Sequence, residues 1–410
     1  MINDELRGQA LDQVSGSVKA KFERLLSSPG ISRPAPQPWN ARYEMLDGWR
    51  GIAAIAVVFQ HVSSVRVGHV AVMLFFVISG YCIAASATSC VERGYGFRRF
   101  MLRRVRRIYP PYLLAVAYFA ATRFVKLGIT GTNQFNFSAV AWIQNLTLTQ
   151  WLSLINADFA YAADNPVNFV TAYWSLNYEE QFYLVVALFV AASILVRNSI
   201  VVLTLPLLAV ALLWNILHPY RSYGTFIDYW PHFGIGLLVF VRLCRLRRVL
   251  FMRLFDALLI ATAIFATWWA WFAGIDWYAK RPLALELLTV SAFALLLLGL
   301  RPFSERLSSL RVSRLLMSLG AISYSLYLVH QCNIRFAAVI TALLVPRGWF
   351  WPSVAAQVAI HVVLAIPFYI ICERPFRNRG LTGVKVPAGH DQRDPRLPKA
   401  PGGPIGVTQS

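Results

Sequence analysis

Charge is what this chain has least of. Only 14% of its 410 residues are Asp, Glu, Lys or Arg, against about 25% in an ordinary soluble domain. Acidic residues are the scarcer kind, 19 against 39 Lys and Arg, which leaves a formal +20. A soluble globular body of this length is excluded by that scarcity. The five cysteines (Cys82, Cys90, Cys244, Cys332 and Cys372) form no CxxC or paired spacing. Neither a disulfide framework nor a metal site is therefore expected. Most lie in or beside apolar runs, where a cysteine acts as a small hydrophobe. The N-terminal region carries Asp4, Glu5 and Asp12 and has no apolar core before the mid-forties. No cleavable signal peptide is expected, so the first membrane helix should serve as the insertion signal.

What is present in excess is apolar sequence, 57% of the residues. It comes in runs such as Leu254–Gly274 and Leu283–Leu300, each near the roughly 20 residues that cross a bilayer. Helices satisfy their backbone polar groups internally, so such runs predict helices. The expected fold is all-α, a polytopic membrane bundle of about ten transmembrane helices. The spans read as 46–65, 69–88, 108–127, 175–196, 199–217, 225–242, 255–274, 283–300, 316–340 and 351–372. Residues 1–41 read as a cytoplasmic arm closed by a Pro-rich linker, 42–380 as the membrane domain, and 381–410 as a disordered tail.

The basic residues test that topology, because cytoplasmic loops collect Lys and Arg. Arg98, Arg99, Arg103, Arg104, Arg106 and Arg107 follow the second span, and Arg242, Arg245, Arg247, Arg248 and Arg253 the sixth. Similar clusters follow the eighth and tenth. The alternate connections hold little more than Arg66, Arg221, Lys280, Arg281 and Arg347. Both termini are then expected in the cytoplasm and the protein in the inner (plasma) membrane. Parity requires 128–174 to lie outside, with the apolar stretch 139–154 re-entrant, interfacial or extracytoplasmic. Charge clustered at membrane flanks also argues against a nucleic-acid partner.

Four segments carry chemistry. In LDGWRGIAAIAVVFQH, Arg50 and His61 are eleven steps apart, nearly one helix face and about 16 Å along the axis. An imidazole at membrane depth suits proton transfer near neutral pH, or it hydrogen-bonds a neighbouring helix. In GFRRFMLRRVRRIYPPY, Arg103 and Arg107 share a face at i and i+4, continued by Arg99, with Arg104 adjacent. Such a face binds phosphates, or it anchors topology on anionic lipid. WSLNYEEQFYL sets Glu179 beside Glu180, about 100° apart on a helix, so one of the two faces the interior. Trp174 and Tyr178 offer aromatic surface for sugar rings or for the interfacial belt. LGAISYSLYLVHQ brings Ser323, Tyr327 and His330 near one face. Glu286, Asp256 and Asp276 sit near predicted span ends and call for no special account.

Together these segments resemble the integral-membrane acyltransferase family three. FFVISGY (Phe75–Tyr81) and ERPF (Glu373–Phe376) complete its six elements, in family order, across about 43–380. The resemblance implies a stand-alone O-acyltransferase without a fused hydrolase-like domain. It would move an acyl group, usually acetyl from coenzyme A, to a hydroxyl of an extracytoplasmic or lipid-linked carbohydrate. It implies no bound cofactor, with acetyl-CoA as donor substrate and membrane lipid as surroundings. Catalytic roles fall to His61 with Glu179 or Glu180, and acyl-CoA binding to Arg50, Arg103, Arg104 and Arg107. The acceptor set is Trp174, Tyr178, Tyr327 and His330. A transporter or flippase of an amphipathic substrate is the rival class, but it leaves the arginine face unexplained. Oligomeric state and the acceptor's identity are not legible.

Overall fold

The computed structural model describes residues 43–92, 96–131, 137–155, 167–196, 200–218, 223–246, 249–273 and 283–377. The expected arm (1–41) and tail (381–410) lie outside them. From Glu44 the chain forms one compact unit, helical throughout its described residues apart from turns and loops.

In chain order the helices are α1 Met45–Val62, α2 Gly68–Glu92, α3 Phe97–Thr130, α4 Ala139–Thr147 and α5 Leu152–Ile155. There follow α6 Trp174–Val196, α7 Ile200–Leu217, α8 Trp230–Cys244, α9 Val249–Ala273 and α10 Leu283–Leu300. The series closes with α11 Ser304–Ser309, α12 Arg311–Ala321, α13 Ser323–Leu344 and α14 Phe350–Phe368. A helix therefore occupies each of the ten expected segments. Among the described residues, 6 helices are long and apolar enough to cross a membrane, and Leu203–Leu217 and Trp230–Cys244 are shorter apolar ones. The protein is a multi-pass helical membrane bundle. The apolar stretch at 139–154 becomes α4 and part of α5, and nine residues of α4 rise only about 14 Å, too short to span.

Apolar composition alone does not say which helix is central; burial does. Every residue of α8 from Trp230 to Phe240 is buried, whereas α9, equally apolar, leaves Leu258, Ile264, Trp268 and Trp271 exposed. A helix apolar all round and exposed on most of one side fits lipid contact, and one buried all round fits the bundle interior.

Two close crossings fix the frame, and glycine is what permits them. A Cβ at Gly320 in α12 would stand 1.7 Å from the Asp47 carbonyl oxygen, and one at Gly51 in α1 would stand 2.3 Å from that of Leu316. At the crossing of α2 with α8, a Cβ at Gly236 would meet the Val77 oxygen at 2.0 Å and one at Gly80 the Phe233 oxygen at 2.1 Å. Small residues let backbones approach where lipid supplies no hydrophobic drive to association. His61 and His330 each lie ten residues beyond the Gly51–Gly320 crossing, which brings the two to one level.

The expected span 316–340 is in fact two helices, broken at Ile322. The break is held from the chain's far end. Glu373 accepts from the backbone N–H of Ser325 (3.1 Å) and from its hydroxyl (2.6 Å). Arg377 donates to the Ala321 carbonyl at 3.1 Å. An anion thus meets the N-terminus of α13 and a cation the C-terminus of α12, as the helix dipoles favour. The ERPF segment is a clamp that sets the direction of α13, and α13 carries Tyr327 and His330.

Candidate active site

A cavity lies between α1, α2, α3, α6 and α13. Its charged lining comes from four side chains, Arg50 (α1), Arg104 and Arg107 (α3) and Glu179 (α6). Three guanidiniums thus face one carboxylate, a formal surplus of two positive charges. Cation pairs at i and i+3 share a helix face, and here that face is Arg104 with Arg107. Arg103, expected beside Arg107, does not line the cavity. The i, i+4 spacing that favoured it is overruled by the roll of α3, which presents Phe100, Arg104 and Ile108 inward. Arg104 is held over the rings of Phe100 (5.7 Å) and Tyr183 (5.6 Å), and its Nε is buried without a hydrogen-bond partner among the described residues.

Glu179 is fixed by two hydroxyls. Ser79 donates to its Oε1 at 2.7 Å, and Tyr183, one turn along the same helix, donates to the same oxygen. Glu180 turns away from the cavity and accepts from Tyr109 of α3. The adjacent carboxylates therefore divide as a 100° step predicts, with Glu179 inside the cavity and Glu180 tying α6 to α3. Ser323, Tyr324 and Tyr327 complete the α13 wall. Tyr324 donates to the Ile108 carbonyl at 3.0 Å, and Tyr327 to that of Ala172.

His61 is not in the cavity lining. It lies beyond Tyr327, with its ring 5.0 Å from that of His330, and the His330 ring is 5.8 Å from Tyr327. Gln331 stands 3.2 Å from His61 Nε2. His361 of α14 lies 3.1 Å from the His330 carbonyl, so α1, α13 and α14 bring three imidazoles together. Phe75 packs edge-on against Tyr327 at 6.1 Å, and these two rings stand between the arginines and the histidines. Among the described residues, no group of three or more His, Cys, Asp or Glu is arranged to hold a metal ion.

Of the expected acceptor set, Tyr327 lines the cavity and His330 stands behind it, but Trp174 and Tyr178 are packed inside. They are 5% and 1% exposed, bound into an aromatic cluster with Tyr229 at 5.4 and 4.7 Å. No ring face is left there for a sugar. Glu286 also departs from expectation. It is 1% exposed and lies 2.8 Å from His69 Nε2 and 3.4 Å from His232 Nε2. Its position in a span was readable; its two partners, on α2 and α8, were not. Asp256 is bonded by Arg242 through both carboxylate oxygens, at 2.9 and 2.7 Å.

Comparison with known proteins decides the class. Residues 43–372 match the model of the acyltransferase-3 family, described as an acyltransferase domain. The chain belongs to this acyltransferase family. It is 25% identical over 372 residues to a protein provisionally named membrane-bound transacylase BcsY, from Komagataeibacter xylinus, covering 83% of this chain and 87% of that one. It is 26% identical over 369 residues to YrhL of Bacillus subtilis, provisionally named a peptidoglycan O-acetyltransferase, covering 82% of this chain and 55% of YrhL. Peptidoglycan O-acetyltransferase OatA of Listeria monocytogenes is 29% identical over 150 residues, 34% of this chain and 23% of OatA. No solved structure matches the chain. The protein is a membrane-embedded acyltransferase.

Proposed function

We propose that this acyltransferase esterifies a hydroxyl of a carbohydrate or glycolipid acceptor at the inner membrane, drawing acetyl from acetyl-CoA. The observation that carries the reading is the charge imbalance of the cavity. Arg50, Arg104 and Arg107 face a single carboxylate there, and surplus guanidiniums beside open space suit the phosphates of coenzyme A. Arginine-rich connections mark the cytoplasmic side, which is where acetyl-CoA resides, and both termini belong on that side. The carbohydrate acceptor is supported by the names of the two relatives, OatA being called a peptidoglycan O-acetyltransferase and YrhL provisionally so.

A thioester is already activated, so the enzyme need only place a hydroxyl and take its proton. In this reading the lone pair of His61 removes the proton as the acceptor oxygen attacks the thioester carbonyl. The tetrahedral oxyanion then collapses, the carbon–sulfur bond breaks, and the imidazolium returns the proton to the coenzyme A thiolate. The products are the ester and free coenzyme A. Glu179 orients the arginine face. Tyr327 and His330 line the acceptor's approach.

Membranes from cells with and without the gene, given radiolabelled acetyl-CoA, provide the test. Label should appear in envelope glycan only with the gene, and alkali should release it as an ester must. Label absent from glycan and present in another fraction would overturn the acceptor assignment.

A further inference from the structure

The two imidazoles beyond Tyr327 have their protons assigned by their neighbours. The oxygen and nitrogen of a side-chain amide are told apart by what they face. The backbone N–H of Ala172 stands 3.2 Å from Oε1 of Gln331, and a backbone N–H only donates. The amide is thereby fixed, with its oxygen toward Ala172. Its NH2 then faces His61 Nε2 at 3.2 Å, and an NH2 group has only hydrogens to offer. His61 must present a lone pair at Nε2, so in the neutral ring the proton sits on Nδ1. His330 follows the same rule. Its Nδ1 lies 2.7 Å from the Tyr327 carbonyl, an acceptor only, so Nδ1 bears the proton and Nε2 the lone pair. That Nε2 is buried and has no hydrogen-bond partner among the described residues.

We infer that Gln331 is a positioning residue. It fixes the resting tautomer of His61, holding the basic lone pair on Nε2, and it is the group an acceptor hydroxyl displaces. This rests on His61 as the base. The structure supplies three reasons for the role. First, a neutral N–H···N contact is weaker than a charge-assisted bond, so an incoming hydroxyl exchanges with it at little cost. Second, the exchange needs no tautomer shift, because the nitrogen already carries its lone pair. Third, the neighbouring group is itself anchored: Ala172 lies in the turn Thr171–Tyr173, whose carbonyl at Ala172 accepts from Tyr327. The same short turn thus sets both the tyrosine between cavity and base and the amide on the base.

The experiment uses the full chain in lipid nanodiscs, labelled with 15N at its seven histidines, with His61 assigned by its loss in His61→Asn. In the wild type, His61 should be protonated on Nδ1 and bare on Nε2. Gln331→Glu keeps the shape and still accepts from Ala172, but it has no hydrogen to donate. A carboxylate there draws a proton onto Nε2 and stabilises the imidazolium beside His330 and His361. His61 should then show a protonated Nε2. Acetyl transfer from acetyl-CoA to an envelope fraction should fall about a hundredfold in kcat, with KM for acetyl-CoA unchanged and the acid limb of the pH profile moved to higher pH. Gln331→Met, of similar volume and without donor or acceptor, should give mixed tautomers and a smaller loss; it also serves if the Glu variant fails to insert. A wild-type His61 protonated on Nε2, or a Gln331→Glu enzyme with unchanged kcat and pH profile, would overturn the assignment. Should His61→Gln prove active, the base reading fails, while the nitrogen signals still decide the tautomer.

Discussion

Two regions of this molecule bury ionisable groups, and they do so to opposite effect. Around the cavity, three guanidiniums share one carboxylate beside open space. At the first turns of α2, α8 and α10, one carboxylate, Glu286, is matched by two imidazoles, His69 and His232. Trp174 stacks on His69 at 6.4 Å and 15°. Phe76 stands between the regions, lining the cavity and lying edge-on to His232 at 6.4 Å. Buried charge alone therefore does not mark a site. A compensated cluster sealed by rings ties helices together; a cluster with surplus positive charge beside a void suits an anionic ligand. The cost of an unpaired buried ion is what makes the difference functional, since a ligand that supplies the missing charge removes that cost.

The comparison breaks first at His61. His61→Ala and His61→Gln should both lose acetyl transfer, by roughly two to four orders of magnitude, with insertion intact. Glycan labelling by the two variants, normalised to protein in the membrane, measures this. An active Gln variant beside an inactive Ala variant would make His61 a packing residue and move the base to His330. Glu286 should behave in the reverse way. Glu286→Ala strands two imidazoles in the interior, and breaking a buried pair costs about 3–5 kcal/mol. Thermal unfolding in detergent should show a lower midpoint, with KM for acetyl-CoA unchanged in the surviving protein. A normal midpoint with lost activity would make the Glu286 cluster a second functional site and undo the contrast.

Much of this was readable beforehand, and the reasons are physical. Apolar runs located the helices because membrane spans must satisfy their own backbones, and many ends fell within a few residues, as for 351–372 against Phe350–Phe368. The largest exception is α3, which starts at Phe97 where 108 was expected, because its first turns are arginine-rich and not apolar. The break at Ile322 was missed because the groups that hold it, Glu373 and Arg377, come from fifty residues downstream. In the site, residue type and spacing picked out Arg50, Arg104, Arg107, Glu179 and Tyr327, which line the cavity, and His330, whose ring stands beside that of Tyr327. They failed on Arg103, where helix roll decides, and on Trp174 and Tyr178, where tertiary burial removes surface that composition seemed to offer. Gln331 carried no local signal at all. Its meaning depends on Ala172, 159 residues away, and such pairings are written in the packing of α13 against the turn Thr171–Tyr173.

The smallest expected effect is also the finest test of the cavity. Arg103 and Arg104 are neighbours on one helix, equal in charge and equally close to the arginine-rich end. Any role in membrane anchoring or in long-range attraction of anions would be shared between them. Only Arg104, with Arg107 one turn on, lines the cavity. A charge-assisted hydrogen bond contributes about 1.5–3 kcal/mol, so Arg104→Gln or Arg107→Gln should raise KM for acetyl-CoA roughly ten- to hundredfold. Arg103→Gln should stay within about twofold, as substitutions away from a binding contact do. Raising the salt concentration sharpens the contrast, because screened surface attraction fades while a desolvated contact persists. Equal losses in Arg103→Gln and Arg104→Gln, both abolished by salt, would mean that the basic segment acts as a surface field and that the donor's phosphates sit outside the cavity.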